Sequence, residues 1–212
     1  MNRRAMLAMP WALDLDAAES APPARDTDYV MVHIDTETTG LQAGYHELID
    51  IGVVYTDRMG KELGRWYKRL MPLHPERVDP GAQKVNGFDA ALWKREGAWA
   101  PEKALADWIA YEEKTFGKRP RLRVAYNCGF DKSFLDALYR QCGREWSEHY
   151  TYFWFDLPSM AWALGYRQIR GPWVTEALGV PDEPHGGIVH TGLTGAEVNV
   201  RIYRKLMEKV KA

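Results

Sequence analysis

A run of β-branched and aromatic residues, Tyr29-Val30-Met31-Val32-His33-Ile34, ends abruptly in Asp35-Thr36-Glu37-Thr38-Thr39-Gly40. The run reads as a buried strand. Residues two apart in a strand share a side, so Asp35 and Glu37 project together from its C-terminal end. Adjacent carboxylates resist joint ionisation unless a cation lies between them. A divalent ion with oxygen ligands is the simplest resolution. The competing reading is a strand that ends in a turn with incidental acids.

A second segment speaks against incidental acids. Arg121-Leu122-Arg123-Val124-Ala125-Tyr126 reads as another strand, followed by Asn127-Cys128-Gly129-Phe130-Asp131 and helical spacing at Phe134, Leu135, Leu138 and Tyr139. Asp131 therefore sits where a loop enters a helix, beside a second strand end. Taken alone it reads as an N-cap; beside the first motif it reads as a third ligand.

These motifs resemble those of the DEDD exonucleases, in the branch whose third motif carries a histidine. The first motif matches through Leu41, and the second through Asn127, Phe130, Asp131, Phe134 and Leu135. Glu47 to Val54 is similar to the family's second strand, and Val85-Asn86-Gly87-Phe88 to the segment before its first long helix. The resemblance covers about residues 28 to 210. It implies an α/β chain with a ribonuclease H-like fold, a mixed five-stranded sheet flanked by helices. It also implies a 3′→5′ exonuclease that uses two divalent cations, Mg²⁺ or Mn²⁺. Asp35, Glu37 and Asp131 would hold the metals, and His190 would take the proton from water. Backbone amides at Glu37 and Thr38 would hold the terminal 3′-hydroxyl. Thr38, Thr39, Leu41, Tyr126, Asn127 and Phe130 would line the substrate site, with Leu41 wedged against the terminal base.

The third motif departs from the pattern. The family form is a histidine, four intervening residues and an aspartate; here His190 is followed by Gly195. No aspartate occurs after Asp182, and Glu197 and Glu208 are the only acids beyond His190. Glu197 lies about 200° around a helix from position 195 and should face away. Asn199 shares the face of residue 195 and offers a neutral oxygen. Water or Asn199 is thus expected in the place of the missing carboxylate, and Gly195→Asp is expected to raise turnover. Two readings stand: a working exonuclease with a weakened metal site, or an exonuclease-like protein that binds nucleic-acid ends without cutting.

The 46% hydrophobic and 27% charged composition is that of an ordinary globular chain. A net charge of −1 supplies no global field for nucleic acid, so phosphate contacts need a local basic rim. Lys118 to Arg123 is the first candidate and Lys94-Arg95 the second; the alternative is a solvated loop before a strand. Cys128 and Cys142 lack zinc-like spacing and fit free thiols in a cytoplasmic setting. No run reaches the roughly 20 apolar residues of a membrane span. Residues 1–27 read as a mobile tail or partner-docking arm, ahead of one domain over 28–212. Asp156 reads as an N-cap or strand-end polar residue, His33 as a core or face histidine, and His185 as part of a loop with a substrate-edge or purely structural role. Single-stranded or frayed 3′ ends are the expected partner, with DNA first and RNA open.

Overall fold

The computed structural model describes residues 28–183 and 190–210. The expected tail over 1–27 and the loop containing His185 lie outside the described residues. Five strands form one sheet in the order β3-β2-β1-β4-β5. They are β1 (Val30–Thr38), β2 (Leu48–Thr56), β3 (Glu62–Arg69), β4 (Arg121–Ala125) and β5 (Tyr150–Asp156). The first three are antiparallel neighbours, whereas β1–β4 and β4–β5 pair in parallel. This is the mixed sheet expected of the chain.

Among the described residues there are seven α-helices: α1 (Pro80–Asn86), α2 (Ala90–Arg95), α3 (Pro101–Phe116), α4 (Cys128–Gln141), α5 (Leu157–Ala163), α6 (Gly171–Leu178) and α7 (Gly192–Val210). The two faces of β1 explain how they are arranged. Val30, Val32 and Ile34 join Ala104, Leu105 and Trp108 of α3 and Phe134, Leu135 and Leu138 of α4 in one core. Met31 joins Leu157 of α5, Val174 of α6 and Val198, Ile202 and Tyr203 of α7 in the other. A strand covered on both faces reads as a near-continuous apolar run, here broken only by the buried His33 before the first carboxylate is reached. That carboxylate is Asp35.

Helix α7 lies against the odd-numbered face of β1 and follows it turn by turn. Tyr203 meets the ring of His33 edge-on, Asn199 Nδ2 donates to the Ile34 carbonyl at 3.0 Å, and Gly195 abuts Asp35. The approach is too close for side chains. A Cβ on Gly52 would lie 2.0 Å from the carbonyl carbon of Gly192, and one on Gly192 would lie 2.5 Å from the Asp35 carbonyl oxygen. These glycines serve contact rather than turn geometry.

Several sequence expectations resolve here. His33 is a core residue: its Nε2 lies 3.0 Å from Thr56 Oγ1, and burial followed by the Arg204 charge pushes its pKa down to about 3. Asp156 caps α5 by accepting from the Ser159 amide, and it also accepts from the Cys128 amide. Glu197 faces away from the strand end and pairs with Arg65 at 2.7 Å. Helix α6 has no counterpart in the sequence reading. Pro172, a turn signal in sequence, begins it from the first turn, where no amide hydrogen is needed.

The expected basic rim at Lys118 to Arg123 is corrected. Arg121 is 1% exposed and Arg123 4%. Arg121 donates to the carbonyls of Glu112 and Gly117, both at 3.0 Å. Arg123 stacks over Trp146, Tyr150 and Trp154, 3.8 to 5.0 Å from the ring centroids. Both side chains alternate into the aromatic core beneath β5, where phosphates do not reach. Arg119 pairs with Asp28 at 2.8 Å. Arg123→Ala removes a packed stem and its ring contacts, and is expected to cost about 2–4 kcal/mol in urea unfolding. The salt dependence of nucleic-acid binding should not change, and a shallower salt slope would return Arg123 to the phosphate-contacting set.

Candidate active site

Strand β1 delivers two of the candidate carboxylates as alternation requires. Asp35 and Glu37 are half-buried on one side, and the intervening Thr36 is buried on the other. The Thr36 hydroxyl donates to Asp131 Oδ1 at 2.8 Å. Asp131 lies in the first turn of α4, which follows Asn127 in left-handed conformation (φ 59°). The turn at Asn127 redirects the chain from β4 into α4, so that Asp131 reaches the end of β1 from the opposite face.

Two further acids complete the surroundings. Asp50 on β2 is the cross-strand partner of Glu37 and is 1% exposed. It accepts from the Gly192 amide at 2.9 Å and from the Tyr67 hydroxyl at 2.6 Å. Glu183 accepts from the Thr194 hydroxyl at 2.6 Å, and its other oxygen lies 3.0 Å from His190 Nδ1. The two α7 contacts seat the first turn of the helix beside the carboxylates.

The electrostatics record how closely the acids are gathered. Burial raises the Asp35 carboxyl well above its usual range, and the charges of Asp131, Glu37, Glu183 and Asp50 add to this. Glu37 is pushed up to about 8, by burial first and then by Asp50 and Glu183. Asp50 rises to about 7 through burial, against the opposing hydrogen bonds from Tyr67 and Gly192. Burial likewise raises Asp131, while the Thr36 hydroxyl holds it back. Such repulsion is what a cation relieves.

The donor set fits a hard divalent ion, because it consists of carboxylate oxygens. Among the described residues no three acid, histidine or cysteine side chains are already drawn into an ion cage.

Position 195 lies directly against Asp35. A Cβ there would lie 2.2 Å from Asp35 Oδ2, 2.4 Å from Cγ and 3.0 Å from Cβ. The carboxylate of Asp35 fills the space that a side chain would occupy. Asn199, one turn on, is buried, and its Nδ2 donates to the Ile34 carbonyl.

The candidate substrate residues divide by exposure. Leu41 is 83% exposed beside the strand end, as a wedge requires. Thr38 and Thr39 are buried. The Thr38 hydroxyl donates to the Gly40 carbonyl, and the Thr39 amide and hydroxyl are both engaged by Glu47. The Thr39 amide therefore does not face a ligand. Phe130 packs on Phe134 with centroids 4.9 Å apart, and Tyr126 donates to the Ile169 carbonyl. Asn127 is exposed.

Sequence reasoning passed over Asp50 as a site residue, although its register opposite Glu37 follows once β1 and β2 are paired. It also passed over Glu183, for which no local signal exists.

A mixed five-stranded sheet with acids at the end of its central strand defines a ribonuclease H-like nuclease fold. The chain belongs to the RNase_T exonuclease family, whose model matches residues 32–203. It is similar to ribonuclease T of Vibrio parahaemolyticus, 26% identical over 148 residues, which covers 66% of this chain and 68% of that one. The epsilon subunit of DNA polymerase III from Treponema pallidum is 28% identical over 115 residues, which covers 54% of this chain and 48% of that one. Among solved structures, the nuclease domain of 3′hExo, a DEDDh family member bound to rAMP, superposes with a TM-score of 0.68 at 16% identity. That match covers 87% of this chain and 94% of the other. Exonuclease I of E. coli in complex with a dA16 oligonucleotide gives 0.68 at 15% identity, covering 85% and 41%. The family places the chain among nucleic-acid exonucleases, which are phosphodiester hydrolases and generally use divalent metal ions.

Proposed function

We propose that the protein removes nucleoside monophosphates, 3′ to 5′, from single-stranded or frayed DNA ends with the help of two divalent cations, Mg²⁺ or Mn²⁺. The observation that carries this reading is the gathering of Asp35, Glu37 and Asp131 around the end of β1, where burial raises all three carboxyls and neighbouring charges add to this at Asp35 and Glu37. These residues would hold the ions, which supply electrostatic stabilisation to the attacking and leaving oxygens of an in-line displacement. His190 accepts the proton from the attacking water as a general base. Glu183 on Nδ1 fixes the tautomer that leaves Nε2 as the acceptor. Leu41 stacks against the terminal base without reading sequence.

RNA ends are the alternative substrate, and one neighbour bound to rAMP beside another bound to dA16 supports keeping both. A second reading is supported by the glycine at position 195: a protein that binds ends without cutting them. No helix among the described residues is long and apolar enough to cross a membrane. The two free cysteines go with a cytoplasmic setting.

The deciding experiment is a time course on 5′-labelled single-stranded DNA and RNA with Mg²⁺, Mn²⁺ or chelator, run beside Asp35→Ala. The expected result is a descending ladder that requires metal and disappears in Asp35→Ala. Retained binding with no ladder under any metal would establish the end-binding reading instead.

A further inference from the structure

The surface joining α5 to α6 carries features that neither the carboxylate site nor the core uses. Trp162 is 52% exposed, Ile169 47% and Trp173 44%. Each tryptophan carries a guanidinium over its ring: Arg167 Cζ lies 4.7 Å from the centroid of Trp162, and Arg170 Cζ 5.4 Å from that of Trp173. From Leu164 to Val174 the chain has these two arginines and no acid. One cavity of about 510 Å³ is lined by Tyr166, Arg167, Gln168, Trp173, Glu176 and Ala177. A second, of about 330 Å³, is lined by Asn127, Asp156, Pro158, Ser159, Trp162 and Ile169.

The second cavity connects this surface to the candidate site. Asn127 immediately precedes α4, and Asp131 lies one turn into that helix. The Ile169 carbonyl accepts from Tyr126 at 2.5 Å, which ties the α5–α6 loop to the end of β4. The acids on the surface are few. Asp156 is engaged as a cap by Ser159 and Cys128, and Glu176 stands on the rim of the larger cavity. Exposed aromatic faces paired with arginines match a ligand that has flat bases and a regular run of phosphates.

We propose that this surface binds the 5′-ward body of a single-stranded nucleic acid whose 3′ end lies at the carboxylates. Bases stack on Trp162 and Trp173, and phosphates pair with Arg167 and Arg170. The proposal rests on the nuclease reading for the position of the 3′ end, but binding itself does not require cleavage.

The test uses the full chain with labelled oligothymidylate of roughly 20 nucleotides and with a dinucleotide. Binding is measured in chelator, and hydrolysis in Mg²⁺ or Mn²⁺. The double variant Trp162→Ala/Trp173→Ala is expected to bind the long strand about tenfold or more weakly. Trp162→Phe/Trp173→Phe should recover most of the loss, and Arg167→Ala/Arg170→Ala should flatten the salt dependence. Turnover of the dinucleotide should stay at the native level. Unchanged affinity for the long strand, or an equal loss for both lengths, would overturn the proposal. Absence of hydrolysis in the native chain would overturn the nuclease reading alone, because the chelator measurements still report on the surface.

Discussion

Gly195→Asp is expected to lower metal-dependent hydrolysis by about tenfold or more, although the resemblance to the family's third motif would put an aspartate there. The Cβ alone would stand 2.2 Å from Asp35 Oδ2, so the new side chain enters only if Asp35 leaves its position. Helix α7 is held where it is by hydrogen bonds to the sheet. Its first turn is pressed onto β2, with room at Gly52 and Gly192 for hydrogens but not for methyl groups, and Asp50 grips the Gly192 amide. Asn199 holds the next turn to the Ile34 carbonyl. The substitution also adds a charge to a neighbourhood where Asp131, Glu37, Glu183 and Asp50 already raise the Asp35 carboxyl. The measurement is kcat/KM on labelled single-stranded DNA in Mg²⁺ and in Mn²⁺, with thermal unfolding of each variant alongside. Gly195→Ala should show the same direction of loss, since a methyl group is enough to displace Asp35. A gain of tenfold or more in the aspartate variant would show that Asp35 turns aside readily, and that the missing ligand was the principal defect.

The reason for this reversal marks what the sequence could convey. Alternation along β1 told which side Asp35 and Glu37 share, and helical spacing after Asn127 placed Asp131 at the start of α4, because both follow from local geometry. The mixed five-stranded sheet came instead with the family resemblance that these motifs carry. The contact between Gly195 and Asp35 joins residues 160 positions apart, and a glycine in a helix gives no sign of what it touches. The same holds for Gly52 against Gly192. Position in a motif pointed to residue 195, but only packing shows that the Asp35 carboxylate lies where its side chain would be.

Charge was the other quantity that local reading handled poorly. Arg121 and Arg123 stand in a basic run, and a basic run ordinarily marks a solvated face. Their strand instead lies between β1 and β5, with Tyr150, Trp146 and Trp154 folded over it, so both guanidiniums are buried among aromatic rings. The exposed arginines that do accompany aromatics, Arg167 and Arg170, sit in a stretch that gave no strong sequence pattern. Burial decided which arginines are available to a ligand, and burial is a property of the assembled sheet.

Glu183→Ala is expected to lower kcat by about 100-fold with little change in KM, an effect of the size seen when the partner of a functional histidine is removed. Glu183 Oε2 lies 3.0 Å from His190 Nδ1, and Oε1 accepts from the Thr194 hydroxyl on the first turn of α7. That second bond holds the carboxylate still, so the imidazole is oriented by a group that is itself oriented. Removing the carboxylate frees the ring to adopt the tautomer whose proton faces the water, and proton acceptance then fails. Glu183→Gln separates orientation from charge. Its amide oxygen can still accept from Nδ1, and the Thr194 hydroxyl can accept from the amide nitrogen, so tautomer control survives without the negative charge. Recovery of most of kcat in the glutamine variant is the expected result and assigns Glu183 to positioning. Equal losses in both variants would instead assign the carboxylate's charge to the reaction, as a replacement for the acid absent at position 195. An unchanged kcat in Glu183→Ala would show that His190 is held by other means, and the proposed route of the proton would have to be redrawn.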